Sequence, residues 1–188
     1  TPLGMGQTKP IPNPDGLAYE GIPSWLPDSK RIVLTGRRGS EPSRAFVCDV
    51  ASGATRVFGP PGIFWSFFGA TPVSPDGKLV VLQDPNGTPM RWGVDGGEPL
   101  PIPGLGAGER PLAWADDGAA LYVGGDVVPI PIVRLDLATG RRTPWMTIAP
   151  NDSAGWRYAT AAITPNGKYW VLNTARLLTD LYVVEGLR

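Results

Sequence analysis

Histidine is absent from this chain, and cysteine occurs once, as Cys48. Without histidine, Ser-His-Asp and Cys-His catalysis and any His-ligated metal site are excluded within these residues. A single cysteine excludes an internal disulfide, and its place in the apolar run Ala45-Phe46-Val47-Cys48 is that of a buried structural thiol. An excess of either charge is also lacking. With 17 basic and 17 acidic residues the formal net charge is zero, so the electrostatic footprint of a nucleic-acid binder is missing. No apolar run approaches the ~20 residues needed to span a membrane, and no stretch keeps a helical hydrophobic period. There is no signal peptide and no initiator Met, so Thr1 reads as a boundary within something longer.

What the 188 residues do contain is glycine and proline, 25 and 22 of them, about a quarter of the chain against an ordinary share of roughly 12%. No collagen period organises them. Short runs of Val, Ile, Leu and Trp lie between, so the composition reads as many short strands joined by tight turns. The organising stretch is Val73-Ser74-Pro75-Asp76-Gly77-Lys78-Leu79-Val80-Val81-Leu82: a strand end, a Pro-Asp-Gly turn and a β-rich apolar run. It recurs as Trp25-Leu26-Pro27-Asp28-Ser29-Lys30-Arg31-Ile32-Val33-Leu34 and as Ile163-Thr164-Pro165-Asn166-Gly167-Lys168-Tyr169-Trp170-Val171-Leu172. A weaker copy is Trp114-Ala115-Asp116-Asp117-Gly118-Ala119-Ala120-Leu121-Tyr122-Val123. Turns recurring roughly every 40–50 residues, with four short strands per unit, have the spacing of β-propeller blades.

The expected fold is all-β, with four four-stranded blades over about 21–61, 62–104, 105–150 and 151–188 of a single propeller domain or half-propeller. In the first three blades a turn, such as Asp49 to Gly53 or Asp136 to Gly140, precedes the closing strand. The fourth blade has strands at 160–164, 169–173 and 180–184 and lacks a closing one, whereas Gly6-Gln7-Thr8-Lys9-Pro10-Ile11-Pro12 resembles the closing segment Gly97-Glu98-Pro99-Leu100-Pro101-Ile102-Pro103. Residues 6–12 are therefore expected to complete the fourth blade, in their own chain or in a partner, which removes an exposed edge at each end. Three arrangements stay open: a closed four-bladed ring, an eight-bladed ring of two chains, and part of a larger propeller.

The motifs Pro27-Asp28-Ser29-Lys30, Pro75-Asp76-Gly77-Lys78 and Pro165-Asn166-Gly167-Lys168, with the later turns Asp49 to Gly53 and Asp136 to Gly140, resemble the WD40-like PD40 repeat of TolB-type propellers. The third copy departs from the pattern at Asp116-Asp117-Gly118-Ala119. The ending Leu177-Leu178-Thr179-Asp180-Leu181-Tyr182-Val183-Val184-Glu185-Gly186-Leu187 is similar to the C-termini of bacterial multidomain proteins carrying such propellers, serine/threonine kinases among them. That resemblance implies a sensing or scaffolding propeller with its enzymatic portion upstream, outside the cytoplasm rather than within it.

Candidate chemistry within the chain is sparse. Gly104-Leu105-Gly106-Ala107-Gly108 precedes a strand rather than a helix and lacks a Lys-Ser/Thr, so it reads as a flexible inter-blade connection and not a phosphate loop. Asp116-Asp117-Gly118 and Asn151-Asp152-Ser153 lack the spaced acidic ligands of a calcium loop and read as Asx turns. Ser24, Ser74 and Ser153 have no nucleophile-elbow context. Arg37 and Arg38 read as a solvated charge pair. No catalytic residue, metal or cofactor is expected, and the chain is not expected to be an enzyme. Among the seven Trp, Trp25, Trp114 and Trp170 fall on strands and are expected between blades. Phe64, Trp65, Phe67 and Phe68 fall in a long connection ahead of the second blade, and Trp156 and Tyr158 occupy the corresponding place before the fourth. Aromatics so placed are candidates for binding a protein, a peptide or a small ligand on the ring face. The expected function is a binding or sensing module, with oligomerisation as the alternative and a homodimer or a larger propeller as its setting.

Overall fold

A computed structural model describes residues 9–65, 72–125, 127–149, 152 and 155–177, with residues 156–160 described for their backbone alone. Twelve antiparallel strands and no helix lie in these residues. The first blade is a four-stranded sheet in the order β1 (Ala18–Trp25), β2 (Arg31–Arg37), β3 (Arg44–Asp49), β4 (Thr55–Phe58). The third repeats it with β7 (Arg110–Trp114), β8 (Ala120–Gly124), β9 (Ile130–Asp136) and β10 (Arg142–Ile148). In the second blade, β5 (Leu79–Gln83) and β6 (Pro89–Gly93) are flanked by single bridges, Val73 to Val80 inside and Arg91 to Leu100 outside. The fourth blade is the pair β11 (Trp156–Ile163) and β12 (Trp170–Arg176). Its expected third strand at 180–184 lies outside the described residues, as do residues 6–8 of the expected clasp. Residues 9–12 form no strand, and the carbonyl of Pro12 lies against Gly53, beside the first blade.

The turns explain why the repeat is spelled as it is. In all four, one side-chain oxygen accepts the N–H two residues on: Asp28 from Lys30, Asp76 from Lys78, Asp117 from Ala119 and Asn166 from Lys168, each at 2.9–3.0 Å. The backbone is thereby held in the turn before any tertiary contact forms. The second turns follow one rule as well. Asp49 accepts from Ala51 N, Ser52 N and the Ser52 hydroxyl; Asp136 accepts from Ala138 N, Thr139 N and the Thr139 hydroxyl.

Packing runs from blade to blade. One apolar cluster draws on the first three blades and contains Leu26, Val33, Val80, Val81, Trp92, Trp114 and Leu121; a second joins the third blade to the fourth through Tyr122, Ile132 and Ile163. The Trp114 indole donates to the carbonyl of Pro72 at 3.3 Å, tying adjacent inner strands. Trp114 is buried as expected, but Trp25 and Trp170 are 59% and 44% exposed, contrary to the expectation that they lie between blades. The reason is positional. Trp25, Val73, Trp114 and Ile163 each stand two residues before the first turn residue, and the last three share a cluster with the preceding blade. Trp25 belongs to the first blade, and no blade precedes it among the described residues.

The inner strands share a further irregularity. β1 gains residues between Glu20 and Ser24, β7 between Pro111 and Ala113, and β11 between Trp156 and Tyr158. In the second blade the same interruption is far longer: Phe64 pairs with Gln83 while Val73 pairs with Val80, and residues 66–71 between them lie outside the described set. Such bulges add residues to one strand while the ladder resumes on either side.

Candidate binding face

By register, each inner strand begins beside the far end of its neighbour, the end that leads into the loop after the second strand: Ala18 faces Arg37, Phe64 faces Gln83, Arg110 faces Gly124 and Trp156 faces Arg176. This loop-bearing end lies opposite the Asx turns. It corrects the expected position of two aromatic stretches. Phe64, Trp156 and Tyr158 are not in connections ahead of their blades. Phe64 exchanges two backbone hydrogen bonds with Gln83, at 2.9 and 3.2 Å, and Trp156 and Tyr158 are ladder residues of β11. The alternation of polar and apolar residues that marks a strand is interrupted there by the bulge, which hides the pairing from a sequence reading.

The rings themselves part company. Phe64 is 37% exposed, whereas Trp65 is 9% exposed and belongs to the core cluster shared by the first three blades. Phe67 and Phe68 lie outside the described residues, as do the side chains of Trp156 and Tyr158.

Immediately beyond Gln83, a cleft of about 550 Å³ opens between the second and third blades. Sequence reading missed it because its two walls, within residues 83–90 and 105–110, are separate in the chain and neither carries a motif. One wall is the loop after β5. The Asp84 carboxylate accepts from Asn86 N and Thr88 N, the Asp84 N–H donates to Thr88 O at 2.9 Å, and the Gln83 amide nitrogen donates to Gly87 O at 3.2 Å. The other wall is the glycine-rich connection into β7. Glu109 accepts from Gly106 N at 2.7 Å and pairs with Arg142, which also donates to Gly104 O at 2.8 Å. The connection is thus fastened at both ends, and not the free tether its glycines suggested. Arg142's hydrogen bonds hold the Glu109 carboxyl below its ordinary value of 4.5; partial burial opposes them and the Gly106 N–H adds to them. Behind the cleft, Arg91 forks onto Pro101 O at 3.1 and 2.7 Å, and its desolvation pulls its own pKa down.

Elsewhere the reactive-looking groups are committed. Cys48 is fully buried, which pushes its thiol up, with Asp49 adding to the effect. Asp117 pairs with Arg134, and Asp152 with Arg176 at 2.6 Å. Arg37 and Arg38 are exposed, as expected, and each has an acidic partner: Arg37 meets Glu20 at 3.3 Å, and Arg38 meets Asp15 at 2.9 Å while lying 5.5 Å from the Phe46 ring centroid.

No family model and no curated protein matches the sequence. Solved structures do. TolB from Acinetobacter baumannii superposes with a TM-score of 0.56 at 15% identity, covering 84% of this chain and 44% of that one. A structure from an analysis of two prolyl endopeptidases gives 0.55 at 18%, covering 85% and 26%. An oligogalacturonate lyase in complex with manganese gives 0.51 at 15%, covering 84% and 54%. The class is therefore a TolB-like β-propeller fold, of which the chain spans about a quarter to a half of each relative's length. At these identities the likeness establishes the fold alone. It also corrects one expectation: proteins that share this fold include an endopeptidase and a lyase, so the inference from a histidine-free sequence to a chain without enzymatic activity does not stand. No helix among the described residues is long and apolar enough to cross a membrane.

Proposed function

We propose that the chain is a propeller module that binds a protein or peptide partner on its loop-bearing end. One observation carries the reading. The aromatic starts of the second and fourth inner strands, Phe64 and Trp156 with Tyr158, come by register to the same end, next to a preformed cleft. The opposite end is filled by hydrogen-bonded turns. Trp65, being buried, leaves the proposed set; Phe67 and Phe68 stay in it by sequence position. In this reading the module is the sensing part of a larger bacterial signalling protein outside the cytoplasm, a setting supported by the resemblance of its C-terminal stretch. The test is selection of displayed peptides on the wild-type protein. Phe64→Ser should weaken the selected peptides by about tenfold or more, and Lys78→Ser, at the turn end, should leave them unchanged. The reverse pattern would refute the reading.

A second reading, assembly through the blade flanks, is favoured by the exposed apolar residues at the two ends of the described series of blades. Trp25 at one end and Val171, 68% exposed, at the other occupy positions whose counterparts pack into the interior joints: Trp114 and Ile163, buried, and Val73, partly buried, for the first, and Val33, Val81 and Tyr122, all buried, for the second. Light scattering should then report a mass twice that of one chain, and Trp25→Glu or Val171→Glu should halve it. A single-chain mass for the unsubstituted protein at every concentration would dismiss the reading.

A further inference from the structure

Resting on the partner-binding reading above, we propose that the cleft between the second and third blades receives one aliphatic side chain of an uncharged, extended peptide segment, whose main-chain N–H donates to the Gln83 side-chain oxygen. The lining dictates the chemistry. Met90, Pro89, Pro101, Ile102 and Leu105 supply apolar walls. Of the two charges present, Glu109 is committed to Arg142 and Gly106, and Arg110 is engaged as well, so neither is offered to a charged ligand. Among the described residues that line the cleft, one buried side-chain polar atom lacks a partner. The Gln83 amide nitrogen is spent on Gly87 O, and the oxygen of the same amide is enclosed by protein without a partner, so a peptide N–H reaches it once the amide turns toward the cleft. A buried acceptor without a donor costs free energy, and a peptide N–H removes that cost. Both walls are held by their own hydrogen bonds, so little ordering is required on binding. The cavity also has the size of ordinary ligand sites.

The probe is N-acetyl-leucine-N-methylamide, titrated into protein labelled at the methionine methyls and at side-chain amides. Met90 and the Gln83 amide should shift together while Met146, in β10, stays still. The lysine analogue of the probe should bind more weakly, and Gln83→Met, which keeps the shape and removes the acceptor, should weaken the leucine probe by about tenfold. Equal binding by the lysine analogue, or full affinity in the Gln83→Met protein, overturns the proposal. So does the absence of any shift at Met90. Shifts of the Phe64 ring without any at Met90 would remove the cleft and leave the binding face itself standing.

Discussion

The ring of Pro27 occupies the space into which a side chain on Gly77 would project: a Cβ there would lie 2.9 Å from Pro27 Cδ. The turn of one blade is thus seated on the proline of the blade before it, and Gly77 holds a φ of +71° in the process. Gly77→Ala should therefore lose twice, once to left-handed backbone at roughly 1–2 kcal/mol and again to the clash. Gly16→Ala is the control. Its φ is +60° but nothing lies within 4 Å, so only the first loss applies. Urea unfolding of both should rank Gly77→Ala the more damaging by about 1 kcal/mol or more; equal midpoints would mean that the turns do not interlock.

Ser29 stands where the other turns have glycine, and its φ is +56°. Ser29→Gly should raise stability by about 0.5–1 kcal/mol, the relief of left-handed strain less the chain entropy that glycine adds. A lower unfolding midpoint for the variant would contradict this.

Trp114→Phe should cost about 0.5–1.5 kcal/mol by removing the indole donor from Pro72 O, which then keeps only the Val81 N–H, at 2.9 Å. Trp92→Phe, which removes an indole bond at 3.2 Å to Leu82 O within one blade, should cost a similar amount. Only the first should speed hydrogen exchange in the blades on both sides of the joint.

Acid should loosen the cleft wall. A carboxylate held low in the folded state stabilises the fold above its unfolded value, and loses that contribution as pH falls through the folded one. For Glu109 the window begins below about 4.5. Wild type minus Glu109→Gln, measured as urea midpoints, should be constant from pH 7 to 5 and shrink below that. The difference isolates Glu109 from the turn carboxylates, of which Asp28 is held down to about 2, chiefly by the Lys30 N–H and the Arg31 guanidinium. A difference that grows on acidification would reverse the assignment.

The blades were legible because their signals are local. The apolar runs that follow the turns at 31–34, 79–82 and 120–123 fall within β2, β5 and β8, since an Asx turn and a β-branched run specify a hairpin without help from afar. The fourth inner strand was read short, beginning at 160 where β11 begins at Trp156, because a bulge breaks the alternation that identifies a strand. Phe64 and Trp65 show the same limit at the level of a site. Neighbours in sequence, they were grouped as one candidate binding cluster, yet a strand sends adjacent side chains to opposite faces, and one of them is core. The cleft was invisible for a different reason. Gln83 and Glu109 are joined by no motif, only by the distance between two blades.

The interruption in the inner strands has a consequence for what this architecture can become. The ladder closes again whether one residue has been added, as in β7, or a stretch as long as the one between Phe64 and Val73. Length at that position is therefore nearly free of the pairing that holds the blade. It serves as a port: a foreign segment inserted between the paired residues Phe64 and Val73 would leave the hairpin of β5 and β6 in its register.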